Sequence, residues 1–392
     1  MSRLRFLVIA EVPPDPNAGA SGTVYQTNAA LRELGHDVDE VWAEQLGPRR
    51  IPHGNLHSLL EQPRGYRREV LRAISQKSYD VILMSQPQAY LAAKALKRRG
   101  FSGIVLNRSH GVELRADEIL PGWQRRLLQH PENFSQRFLS PILRKALARQ
   151  WPRVAKYCDG IVVGCNLDRA YLIERIPLDP RRVRTIAHGV HPAFCETPQA
   201  PISRERCQRL LFVGQTVFFK GASLLPTIVE RVLAQNPGAS FTCVTSQTAH
   251  SQFVQSMPVH LRPRVALEPW TSQEQLLRII DQHGIFVFPT LFEGFGKAPF
   301  EAMARGLCVV CSDEGGMHDW VQTGLNGFRC EPGNIESFVE TVNQILKDPS
   351  IPAKIAPGAR STALMLTWRR CALELEGFVR ELQSFRAGAN SA

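Results

Sequence analysis

Two glutamates eight positions apart, Glu293 and Glu301, carry the clearest chemistry in this sequence. They lie in the segment FEGFGKAPFEAMARG, residues 292–306, between the apolar runs 285–290 and 308–312. This pattern predicts a strand, a glycine-rich loop, a short helix and a second strand. In a parallel sheet such a loop lies at the carboxyl end of a strand, where open α/β sheets bind their ligands.

The loop and the helix suit a ligand that is rich in oxygen atoms. Gly294 and Gly296 allow the backbone to approach a ligand closely. The start of the helix supplies N–H groups and a positive dipole end, which favour phosphate or sugar oxygens. The two carboxylates can accept hydrogen bonds from two hydroxyl-rich groups, and a nucleotide-sugar offers a transferred sugar and a ribose. The alternative is a βαβ unit with two solvated glutamates.

The segment resembles the E-x7-E signature of the retaining GT-B glycosyltransferases of family 4. The resemblance implies that Glu293, Gly294 and the amides of Phe295 and Gly296 hold the donor sugar. It also implies that Glu301 holds the ribose hydroxyls. The fold it implies is α/β GT-B, with two Rossmann-like doubly wound domains facing across a cleft and a C-terminal helix that crosses back to the first domain.

Residues 213–221 follow another predicted strand and resemble the phosphate-binding pattern of this family, in which Gly-Arg precedes Lys-Gly. Lys220 matches the family lysine, which stabilises charge on the departing diphosphate. Gln215, after Gly214, stands in place of the arginine and carries no charge. Either Lys220 and the helix start suffice, or another cation compensates, or turnover is weak. Lys220 as a surface lysine beside a turn glycine is the plain alternative.

His110 ends a predicted strand in the first half of the chain, in Ser109-His110-Gly111. The family has a histidine at the matching place, which contacts the donor sugar near its primary hydroxyl. We therefore expect His110 in the active site. Arg108 and Glu113 are neighbouring candidates for contacts with the acceptor.

Gly22 lies in residues 19–23, which are predicted to form a loop between the first strand and the first helix. This loop resembles the N-terminal glycine turn of the family, close to the donor phosphates. The alternative is an ordinary turn in which Ser21 or Thr23 caps the helix.

Three patterns could suggest a metal or redox site, and each has a stronger structural interpretation. Asp37 and Asp39 spell D-x-D at the start of a strand, where both side chains share one face. The histidines of Ala187-His188-Gly189-Val190-His191 occupy a family turn. The C-x-x-C of residues 308–311 lies within a core strand, where cysteines act as small apolar residues. We expect no metal and no cofactor besides the nucleoside diphosphate-sugar co-substrate.

The length and the net charge of the chain limit the classes of protein to which it can belong. The chain has 392 residues, enough for two domains, and a net charge of +11 with a pI of about 9.4. Such a charge favours anionic partners, but no nucleic-acid-binding motif accompanies it. No apolar run reaches the roughly 18 residues that cross a bilayer. Nine cysteines without a framework of spacings, and no export signal, predict free thiols in a cytoplasmic protein.

A basic stretch near residues 136–156 has apolar residues at helical spacing with cations between them, and Pro141 interrupts it. A helix that lies on a membrane surface has this composition. A core-facing helix with a solvated basic face has it too. Peripheral contact with a membrane is therefore an open expectation.

Alternating strands and helices predict two β/α halves. A proline-containing linker separates residues 1–195, the acceptor-side domain, from residues 205–365, the nucleotide-sugar-binding domain. Residues 366–386 form the crossover helix, and the tail 387–392 is expected to be disordered. The predicted strands are 6–10, 38–42, 80–84, 104–107, 158–164, 182–186, 210–214, 240–244, 264–267, 285–289 and 309–312.

The predicted function is that of a retaining, metal-independent glycosyltransferase. It would move a sugar from a nucleoside diphosphate donor to a hydroxyl of a glycan, lipid or small molecule. A nucleotide-sugar-binding partner protein that has lost catalysis remains open because of Gln215. A GT-B epimerase or phosphorylase is a further alternative, although no cofactor lysine or free-phosphate site is evident.

Overall fold

The structure is a computed structural model, and it describes residues 3–127, 139–197, 199 and 201–391. The chain divides into two compact units. The first comprises Met1–His188 together with Trp368–Ala392, and the second comprises Gly189–Thr367. The C-terminal helix thus returns to the first unit, as expected. No described helix is both long and apolar enough to cross a membrane.

The first unit is built on a six-stranded parallel sheet in the order β2-β1-β3-β4-β5-β6. Its strands β3, β4 and β5 are buried along their whole length because helices cover both faces of the sheet. The strands are β1 (Arg5–Ile9), β2 (Asp37–Val41), β3 (Val81–Ser85), β4 (Ile104–Arg108), β5 (Gly160–Val163) and β6 (Val183–Thr185).

Nine described α-helices cover this sheet. They are α1 (Gly19–Glu33), α2 (Gly54–Leu60), α3 (Gln62–Gln76), α4 (Tyr90–Arg98), α5 (Glu113–Arg126), α6 (Ser140–Ala148), α7 (Gln150–Tyr157), α8 (Asn166–Arg175) and, after the second unit, α17 (Trp368–Ser391). Helix α17 packs closely on the sheet, since a Cβ at Gly160 would lie 2.7 Å from Leu382 and 2.8 Å from Phe378.

The second unit repeats the design with the strand order β12-β11-β10-β7-β8-β9, all parallel. Its strands are β7 (Arg209–Val213), β8 (Ser240–Val244), β9 (Val265–Glu268), β10 (Ile285–Phe288), β11 (Cys308–Ser312) and β12 (Phe328–Cys330). Its α-helices are α9 (Pro192–Glu196), α10 (Leu225–Gln235), α11 (Gln247–Ser256), α12 (Gln273–Asp281), α13 (Lys297–Ala304), α14 (Gly315–Trp320), α15 (Ile335–Lys347) and α16 (Ser350–Met365). Two parallel sheets with helices confirm the predicted α/β class.

The predicted loop at residues 19–23 is wrong. Helix α1 begins at Gly19, and the amide of Gly22 already donates a hydrogen bond to the carbonyl of Ala18 at 3.0 Å. No side chain caps this helix, and the Thr23 hydroxyl donates back to the Gly19 carbonyl instead. Gly22 is therefore a helical residue in the first turn of α1, where its neighbours are buried against the core.

Two predictions about helices also need correction. Residues 387–391 of the tail are not disordered, because α17 continues to Ser391, and residue 392 lies outside the described residues. The basic stretch is not one helix: residues 136–138 lie outside the described residues, and the remainder forms the two short helices α6 and α7. All nine cysteines are free thiols, and all but Cys195 are buried.

Candidate functional site

An ion pair between Lys220 and Glu293 lies at the centre of the candidate site. The Lys220 ammonium contacts a Glu293 carboxylate oxygen, and both side chains are largely buried. The ammonium also lies 5.3 Å from the centroid of the Phe288 ring and 5.7 Å from that of Phe219, within cation–π distance. Partial burial among aromatic rings limits the screening of this pair by water.

The fold brings this pair together through two neighbouring strands. Strands β7 and β10 are adjacent and parallel, so the loops after them meet at one edge of the sheet. The carbonyl of Phe219 accepts hydrogen bonds from the amides of Leu291 at 2.8 Å and Phe292 at 3.2 Å, and from the Thr290 hydroxyl at 2.8 Å. These three bonds join the short 3-10 helix that carries Lys220 to the loop that carries Glu293.

Gly221 makes this close approach possible. Its φ of +79° lies in the left-handed region, and it ends the 3-10 helix Phe218–Lys220. A Cβ at this position would lie 2.1 Å from the carbonyl oxygen of Pro289, which is far inside contact distance. Only glycine therefore fits both the backbone angle and the space.

The glycine-rich loop packs against the start of α14. The amide of Gly316 donates a hydrogen bond to the Phe295 carbonyl at 2.9 Å. Gly315 lies against Glu293, since an added Cβ would be 2.8 Å from the Glu293 Cβ. The amide of Gly294 donates to Glu293 Oε1 at 3.2 Å, and Gly296, with φ +87°, precedes α13. The Glu293 side chain is therefore held between the Gly294 amide, which donates to its carboxylate, and Gly315 at the start of α14, which packs against it.

Glu301 lies on α13, just past its first turn, and is buried. Burial raises the pKa of its carboxyl group, and the positive charge of Lys297 opposes that rise. Within the part of the chain that the structure describes, no hydrogen bond to this carboxylate is found. A buried carboxylate without a donor is costly, so this position favours a ligand that brings hydroxyl hydrogens.

Gly214 and Gln215 follow β7. The Gly214 amide extends the pairing of β7 with β8, because it donates a hydrogen bond to the Val244 carbonyl at 3.1 Å. Gln215, the next residue, is exposed. The sequence left open whether another cation compensates for the missing arginine. Lys297, the first residue of α13, is a candidate for that cation, and its charge lowers the pKa of Glu301 and of His191. Its position directly after the Glu-Gly-Phe-Gly loop was the signal that could have identified it.

His110 belongs to the first unit, at the carboxyl end of β4. Its ring centroid lies 6.3 Å from that of His188, which in turn is stacked on Trp368 at 6.4 Å. Arg108 is the last residue of β4. It is buried and donates to the Thr27 hydroxyl at 2.8 Å and to the Cys371 sulfur at 3.6 Å, so the candidate acceptor contact at Arg108 is wrong.

Glu113, the other candidate for an acceptor contact, is the first residue of α5. Burial raises the pKa of its carboxyl group to about 8, and the negative charges of Asp168 and Asp117 add to the rise. The group therefore carries a proton near neutral pH and can donate as well as accept a hydrogen bond.

The residues of the rejected metal patterns have structural partners. Asp39 accepts hydrogen bonds from Lys77 at 2.8 Å and from the Tyr79 hydroxyl at 2.7 Å. His191 Nδ1 accepts from the amide of Ala193 at 3.2 Å and caps α9. Among the described residues, no group of three or more histidine, cysteine or acidic side chains is arranged to hold a metal ion.

Comparison with known proteins follows the division into two units. The family described as Glycosyltransferase Family 4 matches residues 18–194, and the family described as Glycosyl transferases group 1 matches residues 207–348. A sucrose synthase of Melioribacter roseus is 40% identical over 90 residues, which is 23% of this chain and 11% of the relative. The chain thus spans about a tenth of the length of that relative.

Solved structures resemble the chain over nearly its full length. A sucrose-phosphate synthase from Thermosynechococcus elongatus has a TM-score of 0.75 at 19% identity, covering 97% of this chain and 99% of that one. The Anabaena protein Alr3699/HepE, solved in complex with UDP and glucose, has a TM-score of 0.68 at 16% identity and covers 96% and 100%. These likenesses establish the fold.

Proposed function

The chain belongs to the family 4 glycosyltransferases of GT-B fold, and from that premise we propose that it is a retaining glycosyltransferase. It transfers a sugar from a nucleoside diphosphate-sugar to a hydroxyl group of a glycan, lipid or small molecule. The observation that carries the proposal is the buried Lys220–Glu293 pair beside Glu301, a buried carboxylate that lacks a hydrogen-bond donor among the described residues.

Donor binding divides between these three side chains. Lys220 is the cation for the β-phosphate, because it lies on the 3-10 helix in the loop after β7 and its side chain is largely buried. Glu293 accepts hydrogen bonds from the donor sugar, and its carboxylate is already oriented by Lys220 and the Gly294 amide. Glu301 accepts hydrogen bonds from the ribose, which relieves the cost of burying a charge without a donor. UDP in the complex of the Anabaena relative supports a nucleoside diphosphate as the ligand.

The reaction we propose needs neither a metal nor a cofactor. The bond between the anomeric carbon and the β-phosphate oxygen breaks, and the acceptor oxygen bonds to the same face of the sugar. The acceptor proton passes to the departing phosphate, so no separate base is needed and no electrons are gained or lost. Lys220 stabilises the negative charge on the leaving group, which is the role of a preorganised cation.

The experiment combines binding with turnover. Thermal shifts with UDP, GDP, ADP and TDP identify the base, and donor hydrolysis and sugar transfer are then measured with matching nucleotide-sugars. We expect one nucleotide to stabilise the protein and its sugar derivative to be turned over. Glu293→Ala and Lys220→Ala should abolish turnover, whereas Glu205→Gln, at an exposed ion pair with Arg209 in the same unit, should not. Turnover that survives both substitutions in the site would refute the proposal.

A second candidate function is a nucleotide-sugar-binding partner without catalysis. The uncharged and exposed Gln215 in place of arginine is the specific observation in its favour. The same experiment separates the two functions. A protein that binds a nucleoside diphosphate, depends on Glu301 to do so, and turns over none of the corresponding donors is the binding partner.

We also propose peripheral contact with an anionic membrane through α6, in a protein of the cytoplasm. Ile142 is 67% exposed and Leu139 is 38% exposed, and Arg144 and Lys145 follow on the same short helix. Exposed apolar side chains beside cations suit the boundary between headgroups and acyl chains. Ile142→Glu should reduce sedimentation of the protein with phosphatidylserine vesicles. Val259 is an apolar residue of the second unit that is 74% exposed, so Val259→Glu is the control and should leave sedimentation unchanged. Equal sedimentation of both variants would contradict this contact.

A further inference from the structure

Positive charge is concentrated on one face of the sheet of the first unit. Helices α3, α4 and α7 pack on that face through residues such as Tyr66, Leu96 and Trp151. Together these helices carry nine lysine and arginine side chains and one acidic side chain, Glu69. Helix α8 on the same face is balanced, with two arginines and two acidic residues. We call α3, α4 and α7 the basic helix layer.

The opposite face of the same sheet has no such excess. It is covered by α1 and α17, which contribute residues such as Leu31 and Phe378 to the core on that side. These two helices carry five cations and four acidic side chains. The net charge of the whole chain is +11, and the basic helix layer supplies +8 of it with its nine cations and one glutamate. The excess charge is therefore a local feature of the first unit.

Few cations of the basic helix layer have a counter-charge. All of them except Lys94 are exposed to solvent. Glu69 contacts Arg68 at 2.8 Å and Arg72 at 3.6 Å. Within the part of the chain that the structure describes, the other seven cations have no carboxylate oxygen within 4.0 Å. Because like charges without counter-charges repel one another and lower the stability of the fold, an anion that neutralises them binds favourably.

The cations of α4 and α7 lie over aromatic rings. The ammonium groups of Lys94 and Lys156 are 5.9 Å and 5.7 Å from the centroid of the Tyr157 ring, and the Arg153 guanidinium is 5.0 Å from that of Tyr90. Both rings are half-buried. Single-stranded nucleic acids bind by stacking their bases on aromatic rings. Rings that are half-buried and covered by cations favour a polyanion without bases.

The layer also lacks apolar side chains that could enter a bilayer. None of the exposed large apolar side chains among the described residues belongs to α3, α4 or α7. A helix at the boundary between headgroups and acyl chains uses such side chains, and α6 has one at Ile142. A hydrated polyanion therefore suits the basic helix layer better than a membrane surface does.

The area of the layer indicates the size of its ligand. Helix α3 has 15 residues and is about 22 Å long, and α4 packs against both α3 and α7 at the usual spacing of about 8–10 Å between helix axes. A single small anion reaches only a part of this area, whereas a chain with an anion on successive units contacts many cations at once. Six of the nine cations are arginines, whose forked N–H groups match carboxylate and phosphate oxygens.

We propose that the basic helix layer binds an anionic polysaccharide, a saccharide chain that bears carboxylate, sulfate or phosphate groups. The polymer lies across the outer sides of the three helices and contacts their guanidinium and ammonium groups, without any covalent step. This binding site is separate from the transfer reaction and does not depend on it. The polymer supplies the counter-charges that the layer lacks, so binding stabilises the first unit and weakens when salt screens the charges.

The test is calorimetric binding of polygalacturonate and of heparin to the full chain, with no sugar donor present. The layer variant combines Arg67→Glu, Lys97→Glu and Lys156→Glu, which reverse one exposed cation of each helix. We expect its affinity for both polymers to fall at least about tenfold. Wild-type binding should weaken as NaCl is raised from about 0.05 M to about 0.5 M, and neutral dextran should not bind.

A matched control reverses the same number of charges outside the layer. It combines Arg204→Glu, Lys354→Glu and Arg369→Glu, all at exposed positions, and has the same net charge as the layer variant. Its affinity for both polymers should stay within about twofold of the wild type. Thermal unfolding checks the fold of each variant. Glutamine at the three positions of the layer variant gives a milder change, which should lower the affinity by a smaller factor.

The comparison separates a local site from general attraction by net charge. An equal loss of affinity in the layer variant and in the control would overturn the inference, and so would a wild-type protein that binds neither polymer. The third contrary result is tighter binding to poly(dT) or to phosphatidylserine vesicles than to the polysaccharides, per anionic group, with that binding lost in the layer variant. Such a result would assign the layer to nucleic acid or to a membrane instead.

Discussion

Lys220 and Glu293 are 73 positions apart in the sequence and form an ion pair that is largely shielded from water. The pair is made by two loops that three hydrogen bonds to the Phe219 carbonyl hold together. Each side chain therefore orients the other before any ligand arrives. Such preorganisation is what allows charged groups to stabilise a transition state without reorganisation.

Glu293→Gln should lower turnover at least about 100-fold, the scale for loss of one preorganised polar contact. The substitution preserves shape but removes the charge that orients Lys220. Steady-state rates of sugar transfer measure the effect, with Glu205→Gln as the surface control. Wild-type rates in the Glu293 variant would remove this residue from the mechanism.

Gly221→Ala should destabilise the protein by about 2–4 kcal/mol and reduce donor affinity. The added Cβ meets the Pro289 carbonyl at 2.1 Å, and the residue must keep φ at +79°. Urea denaturation and nucleotide thermal shifts measure the two effects. Gly238→Ala is the matched control, because the nearest atom to its Cβ would be 3.6 Å away. An equal stability of the two variants would contradict the packing argument.

Glu301→Gln should stabilise the ligand-free protein near pH 7.5, yet weaken nucleotide binding about tenfold. Burial raises the pKa of the folded carboxyl group, so its ionised form costs stability once the pH exceeds the unfolded value. Glutamine removes that cost together with the charge that holds the ribose. Thermal unfolding with and without the nucleoside diphosphate separates the effects, and a loss of stability without ligand would be the contrary result.

Gln215→Arg should leave the fold intact and raise donor affinity, because an added guanidinium offers a charge and a fork of donors for phosphate. The nucleoside diphosphate Kd, measured by calorimetry, reports the change. Unchanged affinity would mean that the site is already compensated. Lys297→Gln then identifies the compensating cation, since its charge reaches Glu301 in the same region.

Glu113→Gln should flatten the dependence of stability on pH between about 7 and 8. The pKa of this carboxyl group is raised to about 8, so the folded state keeps a proton that the unfolded chain has lost. Stability therefore falls as the pH rises towards 8 in the wild type, and Gln removes that fall. Glu11, with a pKa near 7, adds a decline of the same sign at lower pH. Denaturation at pH 7 and 8.5, with Glu33→Gln as control, tests this; identical slopes would refute it.

The strands were predictable because buried parallel strands are nearly continuous apolar runs. Segments such as 210–214 and 285–289 carry that signal on their own. Strand β12 was missed because it has only three residues, of which Cys330 alone is buried. The prediction of a loop at 19–23 failed for a different reason. The small residues of this segment fit a tightly packed helix as well as a turn, so the local sequence does not distinguish the two.

The sequence by itself determined the two β/α halves, the glycine-rich loop and the spacing of Glu293 and Glu301, because each depends on residues close along the chain. The tertiary structure alone decided that Lys220 meets Glu293, that Arg108 turns into the core towards Thr27, and that Glu11 meets His57. The physical reason is strand order. Parallel strands that are neighbours in a sheet are separated by helices in the sequence, so their carboxyl-end loops meet only once the sheet has formed.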